Sequence, residues 1–214
     1  MNVFRLQDKI SWGLNVAARS IGASTDAYRA SGVSSPLRPT NRFLRLHAAF
    51  SNVHGGFERP NTYDHSLWDG IFDSAYTRVG DYLVQKDCIW FIAAQQSLMP
   101  VLCVRTDRTV SFTRPAAPTA SGVNSYGGVT ASTNTPLLTN WPASVRAASI
   151  TGTPSADLPG DASVSHWTVL LPAQPTVTLL VADLMTDDLG RNAVVSSAEL
   201  TNLGWRLSVK QATT

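Results

Sequence analysis

Two adjacent carboxylates towards the end of the sequence are the first candidates for chemistry. Asp187 and Asp188 precede Gly190 and Arg191, a combination that could form the rim of a metal or phosphate site. A calcium loop of the EF-hand type would need several more oxygen donors and a terminal glutamate. The same residues suit a tight hairpin turn, because Asp accepts local backbone hydrogen bonds and Gly adopts positive φ. The sequence therefore favours structural turns at Asp187, Asp188 and Gly190, and again at Gly204.

This interpretation of the turn predicts how substitutions behave. Gly190→Val should damage folding or assembly, because valine does not tolerate positive φ. Asp187→Asn should leave both nearly intact, because Asn also accepts hydrogen bonds from a turn backbone.

A second group of possible ligands combines two histidines and three carboxylates within twenty residues: His54, Asp64, His65, Asp69 and Asp73. Such a set could bind Zn²⁺ or Mn²⁺. Its spacing does not place a recognised ligand pair on one helix face, so solvated or turn-bonded loop side chains are favoured. The alternative is a metal-dependent hydrolase that uses His54, Asp64, His65 and Asp69 and holds stoichiometric metal.

The sequence lacks the motifs of the common catalytic and cofactor-binding sites. It contains no Walker-type glycine loop, no G-x-S-x-G, no H-E-x-x-H and no C-x-x-C. Glu58 and Glu199 are isolated, so a glycosidase carboxylate pair would have to come from Asp. We therefore predict a protein that is not an enzyme and needs neither a cofactor nor a metal.

Charged residues make up only 15% of the 214 residues, against about 25% in an average soluble domain. Lys occurs three times and Glu twice, a depletion that protein interfaces share. A genome rich in G and C would explain the same bias. The hydrophobic content of 43% is sufficient for a buried core, which argues against global disorder.

The net charge of +2 and the lack of a Lys/Arg run argue against a nucleic-acid partner. No apolar segment approaches the roughly 20 residues that cross a bilayer, so no membrane partner is expected. Asp8 and Lys9 interrupt the first apolar pattern, which is not that of a signal peptide. Cys88 and Cys103 are then interpreted as buried thiols in strands, not as a disulfide.

The spacing of apolar residues predicts a short N-terminal helix and then a mainly β chain. Steps of three and four from Val3 to Ile21 indicate a helix with one apolar stripe, which Gly22 ends. Segment 43–50 alternates like a strand, whereas 67–79 suits either a helical turn or a bent strand. Short β-rich runs follow at 82–84, 88–93, 101–105 and 109–113, a pattern typical of an antiparallel meander.

Residues 115–165 differ from the rest of the chain, because they carry only three charges. A structureless loop of that length is unusual in a compact monomer. Leu137, Leu138 and Trp141 have the character of buried anchors. We predict an extended arm that lies on a neighbouring subunit, with packing on its own domain or disorder as alternatives.

The last part of the chain is again β-rich, with runs at 166–173, 176–185, 192–200 and 204–212. Its order of an Asp, an apolar strand, a polar turn, a second strand, another turn and a third strand repeats that of 80–105. This similarity indicates two related units, either two small barrels or two halves of one.

The fold class predicted from these patterns is mainly β, with antiparallel barrel or sandwich units, a short N-terminal helix and a long extended arm. The predicted organisation is a helix and extended segment in 1–50 and a first meander in 51–114. The arm follows in 115–165, and a C-terminal meander in 166–214 completes the barrel.

The runs GDYLV…WFIAAQQSLMPVLCVRTDRTVSFTRP and ADLMTDDLGRNAVVSSAELTNLGWRLSVKQA resemble virion structural proteins of tailed bacteriophages. The hairpin from Asp183 to Val195 is similar to those in the small β-barrels of head-closure, neck and tail-adaptor subunits. The segment DAYRASG…SPL at 26–37 is also similar to segments of such phage proteins.

The resemblance implies a non-enzymatic subunit of a homo-oligomeric ring in the head-to-tail connector or tail. It would be assembled in the bacterial cytoplasm, located in the virion and bound to portal, tail or fibre proteins. Leu137, Leu138, Trp141 and Arg191 would then be assembly contacts. The alternative function is a carbohydrate- or receptor-binding β-domain of a tail fibre or cell-surface protein, with several tryptophans exposed along one groove.

Overall fold

A computed structural model describes residues 3–52, 66–115, 134–147, 165–174 and 176–212 of the chain. Within these ranges the protein has one α-helix, α1 (Val3–Ile21), and twelve strands. The strands are β1 (Ala23–Tyr28), β2 (Arg42–Asn52), β3 (Leu67–Ile71), β4 (Tyr82–Gln85), β5 (Cys88–Ala94), β6 (Val101–Thr106), β7 (Arg108–Arg114), β8 (Thr135–Ala147), β9 (His166–Leu171), β10 (Leu184–Asp187), β11 (Asn192–Thr201) and β12 (Gly204–Gln211).

The predicted N-terminal helix is confirmed, including its end. Gly22 N–H donates to the carbonyl of Ala18, and the chain turns directly into β1. A Cβ atom at Gly22 would lie 2.6 Å from the carbonyl oxygen of Ala48, so only glycine permits this approach to β2. Ala18 is fully buried, whereas Trp12 on the other face of the helix is 70% exposed.

The twelve strands form two closed antiparallel barrels of six strands each. In barrel 1 the order of neighbours is β1-β2-β3-β6-β5-β4, and β4 pairs back with β1. In barrel 2 the order is β7-β8-β9-β12-β11-β10, and β10 pairs back with β7. In each barrel three meandering strands are followed by a fourth that returns beside the first, which is a Greek key.

The two barrels therefore have the same topology, and each strand of barrel 2 corresponds to the strand six places earlier. The β-bulge between Ile92 and Ala94 in β5 recurs between Val195 and Ser197 in β11. Of the two alternatives that the sequence leaves open, the structure shows two small barrels. The mainly β fold class with barrel units is confirmed.

Strand alternation fills the barrels. In β12 Trp205, Leu207 and Val209 are buried, whereas Arg206 and Ser208 between them are exposed. The interior of barrel 2 is continuous with the outer face of barrel 1, where Tyr82, Phe91, Ala93 and Val104 are buried. A second core fills barrel 1, where the rings of Phe50 and Trp90 stack 3.9 Å apart.

Tyr82 connects the two barrels. Its hydroxyl donates to the carbonyl of Pro142 over 2.9 Å, and its ring meets Trp141 edge to face at 6.1 Å. Burial raises the pKa of Tyr82 well above its usual value, so the phenol stays protonated and remains a donor.

Residues 135–147 correct the prediction of an extended arm, because they form β8 between β7 and β9. The core of barrel 2 contains four residues of this segment: Leu138, Trp141, Ala143 and Val145. The segment therefore has the apolar pattern of a strand as well as a low charge. The other parts of the predicted arm, 116–133 and 148–164, lie outside the described residues.

Three further differences concern element boundaries. Of the two alternatives for 67–79, the structure shows a strand, but only over Leu67–Ile71, and the run predicted at 176–185 becomes a strand only at Leu184. The predicted meander boundaries differ too, because β1 and β2 complete barrel 1 and β7 begins barrel 2.

Both cysteines are free and lie in strands, with Cys103 buried and Cys88 half-buried.

Candidate functional site

An arginine and a buried aspartate close barrel 1 where β1 and β4 meet. Arg29 follows β1 and donates from Nε to Oδ1 of Asp81 at 2.8 Å and from Nη2 to Oδ2 at 2.7 Å. The Arg78 backbone N–H also donates to Oδ2 of Asp81, whose side chain is only 2% exposed. The hydrogen bonds that Arg29 donates to Asp81 raise the pKa of Arg29, so this pair stays ionised.

Barrel 2 contains the same arrangement. Arg114, at the end of β7, donates from Nε to Oδ1 of Asp183 at 2.8 Å and from Nη2 to Oδ2 at 2.9 Å. The backbone N–H of Leu180, three residues before Asp183, donates to Oδ2 at 2.7 Å. We call the two sets, Arg29 with Asp81 and Arg114 with Asp183, the arginine clamps.

The backbone around the clamps repeats as well. Gly80 and Ala182, the residues before the two aspartates, have φ of 92° and 73°. Gly80 N–H donates to the Ile92 carbonyl, and Ala182 N–H donates to the Val195 carbonyl. Equal topology, equal clamps and equal turns indicate that the chain contains one structural unit twice.

Neither arginine of the clamps was predicted from the sequence. An Asp before each strand series was visible in the sequence, but Arg29 precedes its aspartate by 52 residues and Arg114 precedes its own by 69. At such separations the arginine and its aspartate form no short sequence motif.

Asp187, Asp188 and Gly190 lie in the hairpin between β10 and β11, as the turn interpretation predicted. The Asp187 side chain is fully buried and accepts hydrogen bonds from the backbone N–H groups of Leu189 and Arg191. It also accepts one from Nε of Arg191 at 2.6 Å. Gly190 has φ of 74°.

The expectation that Asp187→Asn is nearly neutral does not fit this geometry. Burial opposes ionisation of Asp187, but the hydrogen bonds from Arg191 and Leu189 outweigh it and lower its pKa. Asn would lose the charge-assisted bond to Arg191. Asp187 is therefore an ion-paired centre of the turn, whereas Asp188 is exposed and, among described side chains, has no hydrogen-bond partner.

The residues predicted as assembly contacts pack against, or pair with, residues of their own chain. Trp141 is 1% exposed and donates from Nε1 to the Val33 carbonyl at 2.8 Å. Leu138 is also buried, and Leu137 is half-buried against the same core. Arg191 pairs with Asp187 and lies over the Trp167 ring at 4.8 Å. Trp141 and Leu138 have no surface left for a neighbouring subunit.

The candidate metal ligands are only partly described. Asp69 lies in β3 and Asp73 after it, whereas His54, Asp64 and His65 lie outside the described residues. In the part of the chain that the structure describes, no three His, Cys, Asp or Glu side chains come together as a metal site.

An apolar cavity of about 230 Å³ lies between the barrels. Leu67, Phe91 and Val104 of barrel 1 line it together with Leu203 and Trp205 of barrel 2. Ligand pockets usually measure about 300–1,000 Å³ and carry convergent polar groups. We interpret this cavity as an imperfect seam between two packed barrels.

Large apolar side chains are exposed on α1 and on the turns that join the strands. Turns of this kind are usually polar. Single exposed apolar residues are common on soluble proteins, but Leu98 with Met99 and Leu180 with Val181 are exposed as neighbours in sequence. We call these residues the apolar tips: Trp12 and Val16 on α1, Tyr76 and Val79 after β3, Leu98 and Met99 after β5, Leu180 and Val181 after β9, Leu189 after β10 and Leu200 in β11. They are the described residues best suited to bind another protein.

Among the described residues, no helix is long and apolar enough to cross a membrane. No protein-family model, curated protein or solved structure matches this chain.

Proposed function

We propose that this protein is a non-enzymatic structural subunit of a tailed-phage particle, assembled as a homo-oligomeric ring of the head-to-tail connector or tail. The observation that carries the proposal is the set of apolar tips, which two well-packed barrels leave on their surface. An exposed apolar side chain gains free energy when an adjoining subunit removes it from water. A ring repeats that contact at every subunit boundary.

The buried charges support the same proposal. Asp81, Asp183 and Asp187 are each saturated by an arginine and backbone N–H groups. Burial raises the pKa of the Cys103 thiol, which keeps it protonated and unreactive. These four groups hold the fold and are not free for catalysis.

The tryptophans favour a structural subunit over a carbohydrate-binding domain. Trp90, Trp141 and Trp205 are buried, and Trp68 and Trp167 are half-buried. Of the described tryptophans only Trp12, on α1, presents most of its ring to solvent. A sugar platform would need several such rings along one groove.

Analysis of tailed particles made by a phage that encodes this chain tests the proposal. Quantitative mass spectrometry of purified particles should detect the chain in a fixed copy number that matches a cyclic ring. Particles that are complete without the chain would refute the proposal.

A complementation assay tests the role of the apolar tips. Leu180→Ser with Val181→Ser should lower the yield of tailed particles at least tenfold, because the apolar contact with a neighbour is lost. Lys86→Ser, at an exposed polar turn between β4 and β5, is the matched control and should leave the yield unchanged. Equal yields from both variants would show that these tips do not assemble the particle.

A further inference from the structure

We propose that the cleft beside the first arginine clamp binds a phosphate-type oxyanion, either inorganic phosphate or a phosphomonoester. The cleft measures about 270 Å³ and lies where the two barrels meet. Arg29, Arg78 and Gly80 line it from barrel 1, and Ala173 and Gln174 line it from the segment after β9.

The charge that faces this cleft is positive. Asp81 also borders it, but its carboxylate is 2% exposed and accepts three hydrogen bonds, from Arg29 Nε, Arg29 Nη2 and the Arg78 backbone. Arg29 is 33% exposed, and its Nη1 makes no hydrogen bond within the described structure. Arg29 Nη2 also donates to the Tyr76 carbonyl at 3.3 Å, so Nη1 is the nitrogen of Arg29 that is left to donate to a bound anion.

Arg78 supplies a second cation without an evident structural task. Its residue is exposed, and its guanidinium has no hydrogen-bond or ion-pair partner among the described residues. Only its backbone N–H contributes to the clamp. Two cationic residues that line one cleft favour the approach of an anion.

The second barrel provides an internal control for this interpretation. Leu180 occupies the position of Arg78, donates the same backbone N–H to its aspartate, and leaves the clamp intact. The fold therefore uses the backbone N–H at this position and does not need an arginine side chain. What barrel 1 adds to the shared unit is a cation, which indicates a ligand specific to its cleft.

Gly80 leaves its part of the cleft wall without a side chain. Ala182 has a similar positive φ in barrel 2, so the turn itself tolerates a Cβ atom. At Gly80 a Cβ would lie 3.7 Å from the Ala173 carbonyl oxygen, and it would narrow the cleft between the barrels.

A tetrahedral oxyanion suits these donors better than a planar carboxylate. Arg29 and Arg78 reach the cleft from separate segments, and Gln174 lies across the seam with an amide that can donate. Phosphate carries acceptor oxygens in several directions, so Arg29 Nη1 and the Arg78 guanidinium can donate to different oxygens of one anion. The Arg29 guanidinium lies over the Phe43 ring at 4.3 Å, which fixes its orientation in advance.

Calorimetric titration of the full chain at constant ionic strength tests the site. Inorganic phosphate and methyl phosphate are the probes, and acetate is the planar comparison. The wild type should bind at least one of the two phosphates saturably with one site per chain, and acetate at least tenfold more weakly. Binding of inorganic phosphate alone would identify the free ion, and binding of methyl phosphate would extend the site to phosphomonoesters.

Arg78→Leu is the decisive variant, because Leu180 shows that the fold accepts leucine at this position. It should weaken phosphate binding at least tenfold at an unchanged melting temperature. Arg105→Leu removes one exposed arginine of β6 outside the cleft and should bind phosphate like the wild type. Non-saturable binding by the wild type, or equal binding by both variants, would overturn the proposal.

Discussion

Asp81 and Asp183 occupy the same position in the two barrels, and each is the buried partner of an arginine at the end of the first strand of its barrel or directly after it. Each aspartate stands directly before the strand that closes the barrel, β4 or β10. The clamp therefore joins the two ends of the sheet at the point of closure. Because barrel closure removes both sheet edges, the clamp stabilises the step that protects each barrel from pairing with other chains.

This equivalence predicts that Asp81→Asn and Asp183→Asn cost similar amounts of unfolding free energy. Each variant removes the charged partner of an arginine that is itself about one-third exposed, so we expect a loss of about 2 kcal/mol. Urea unfolding followed by circular dichroism measures the loss. Glu199→Gln breaks an exposed pair with Arg206 and should cost under about 1 kcal/mol. A loss that small in either clamp variant would contradict the role of the clamps.

Much of this fold could be predicted from the sequence because strand alternation, helix ends and turn residues all agree with the final structure. The alternation in β12, the glycine after α1 and the Asp-Asp-x-Gly hairpin each follow from short-range physics. The repeated order of Asp, strand, turn and strand also indicated two related units. These features depend on residues that are close in sequence, so one sequence is sufficient to predict them.

What the sequence did not predict depends on distant partners. The apolar run at 176–183 has strand composition, but Asp183 must meet Arg114, and Ala182 turns the backbone to positive φ. Residues 135–147 have the low charge of an arm, but their apolar side chains fill barrel 2. In both segments the tertiary contact overrides the local composition.

The two adjacent aspartates of the β10–β11 hairpin should respond differently to the same substitution. Asp187→Asn should lower the unfolding free energy by about 1–3 kcal/mol, because it removes a charge-assisted bond inside a buried turn. Asp188→Asn changes an exposed side chain and should stay within about 0.5 kcal/mol of the wild type. Denaturant unfolding of both variants makes the comparison, and equal losses would mean that Arg191 does not stabilise the turn.

Asp187 also predicts part of the acid sensitivity of the protein. Its pKa is lower in the folded than in the unfolded chain, where about 3.9 is usual, so the unfolded state binds the proton first. The stabilisation is complete above the unfolded value and disappears as the pH falls through the folded value. Unfolding free energies measured from pH 6 to pH 2 should therefore fall less steeply in Asp187→Asn than in the wild type. Parallel curves would show that Asp187 has no depressed pKa.

The two turn glycines should differ in their tolerance of a methyl group. Gly204 has φ of 117°, and a Cβ there would clash with the Leu171 carbonyl oxygen. Gly204→Ala should therefore prevent folding or cost more than about 3 kcal/mol. Gly190 has φ of 74° and open space around it, so Gly190→Ala should cost only about 1–2 kcal/mol. Thermal unfolding ranks the two variants, and the reverse order would contradict the packing at β9 and β12.

The contact between the barrels can be tested by removing one oxygen atom. Tyr82→Phe keeps the ring that meets Trp141 but leaves the Pro142 carbonyl without its donor, so we expect a loss of about 1–3 kcal/mol. Tyr28→Phe is the matched control, because Tyr28 is half-buried and its hydroxyl has no partner among the described residues. Its effect should stay within about 0.5 kcal/mol. The Tyr82 hydroxyl joins barrel 1 to Pro142 of barrel 2, so its loss should also speed hydrogen exchange at the amides that flank Pro142. Unchanged exchange would show that only the apolar contacts couple the two barrels.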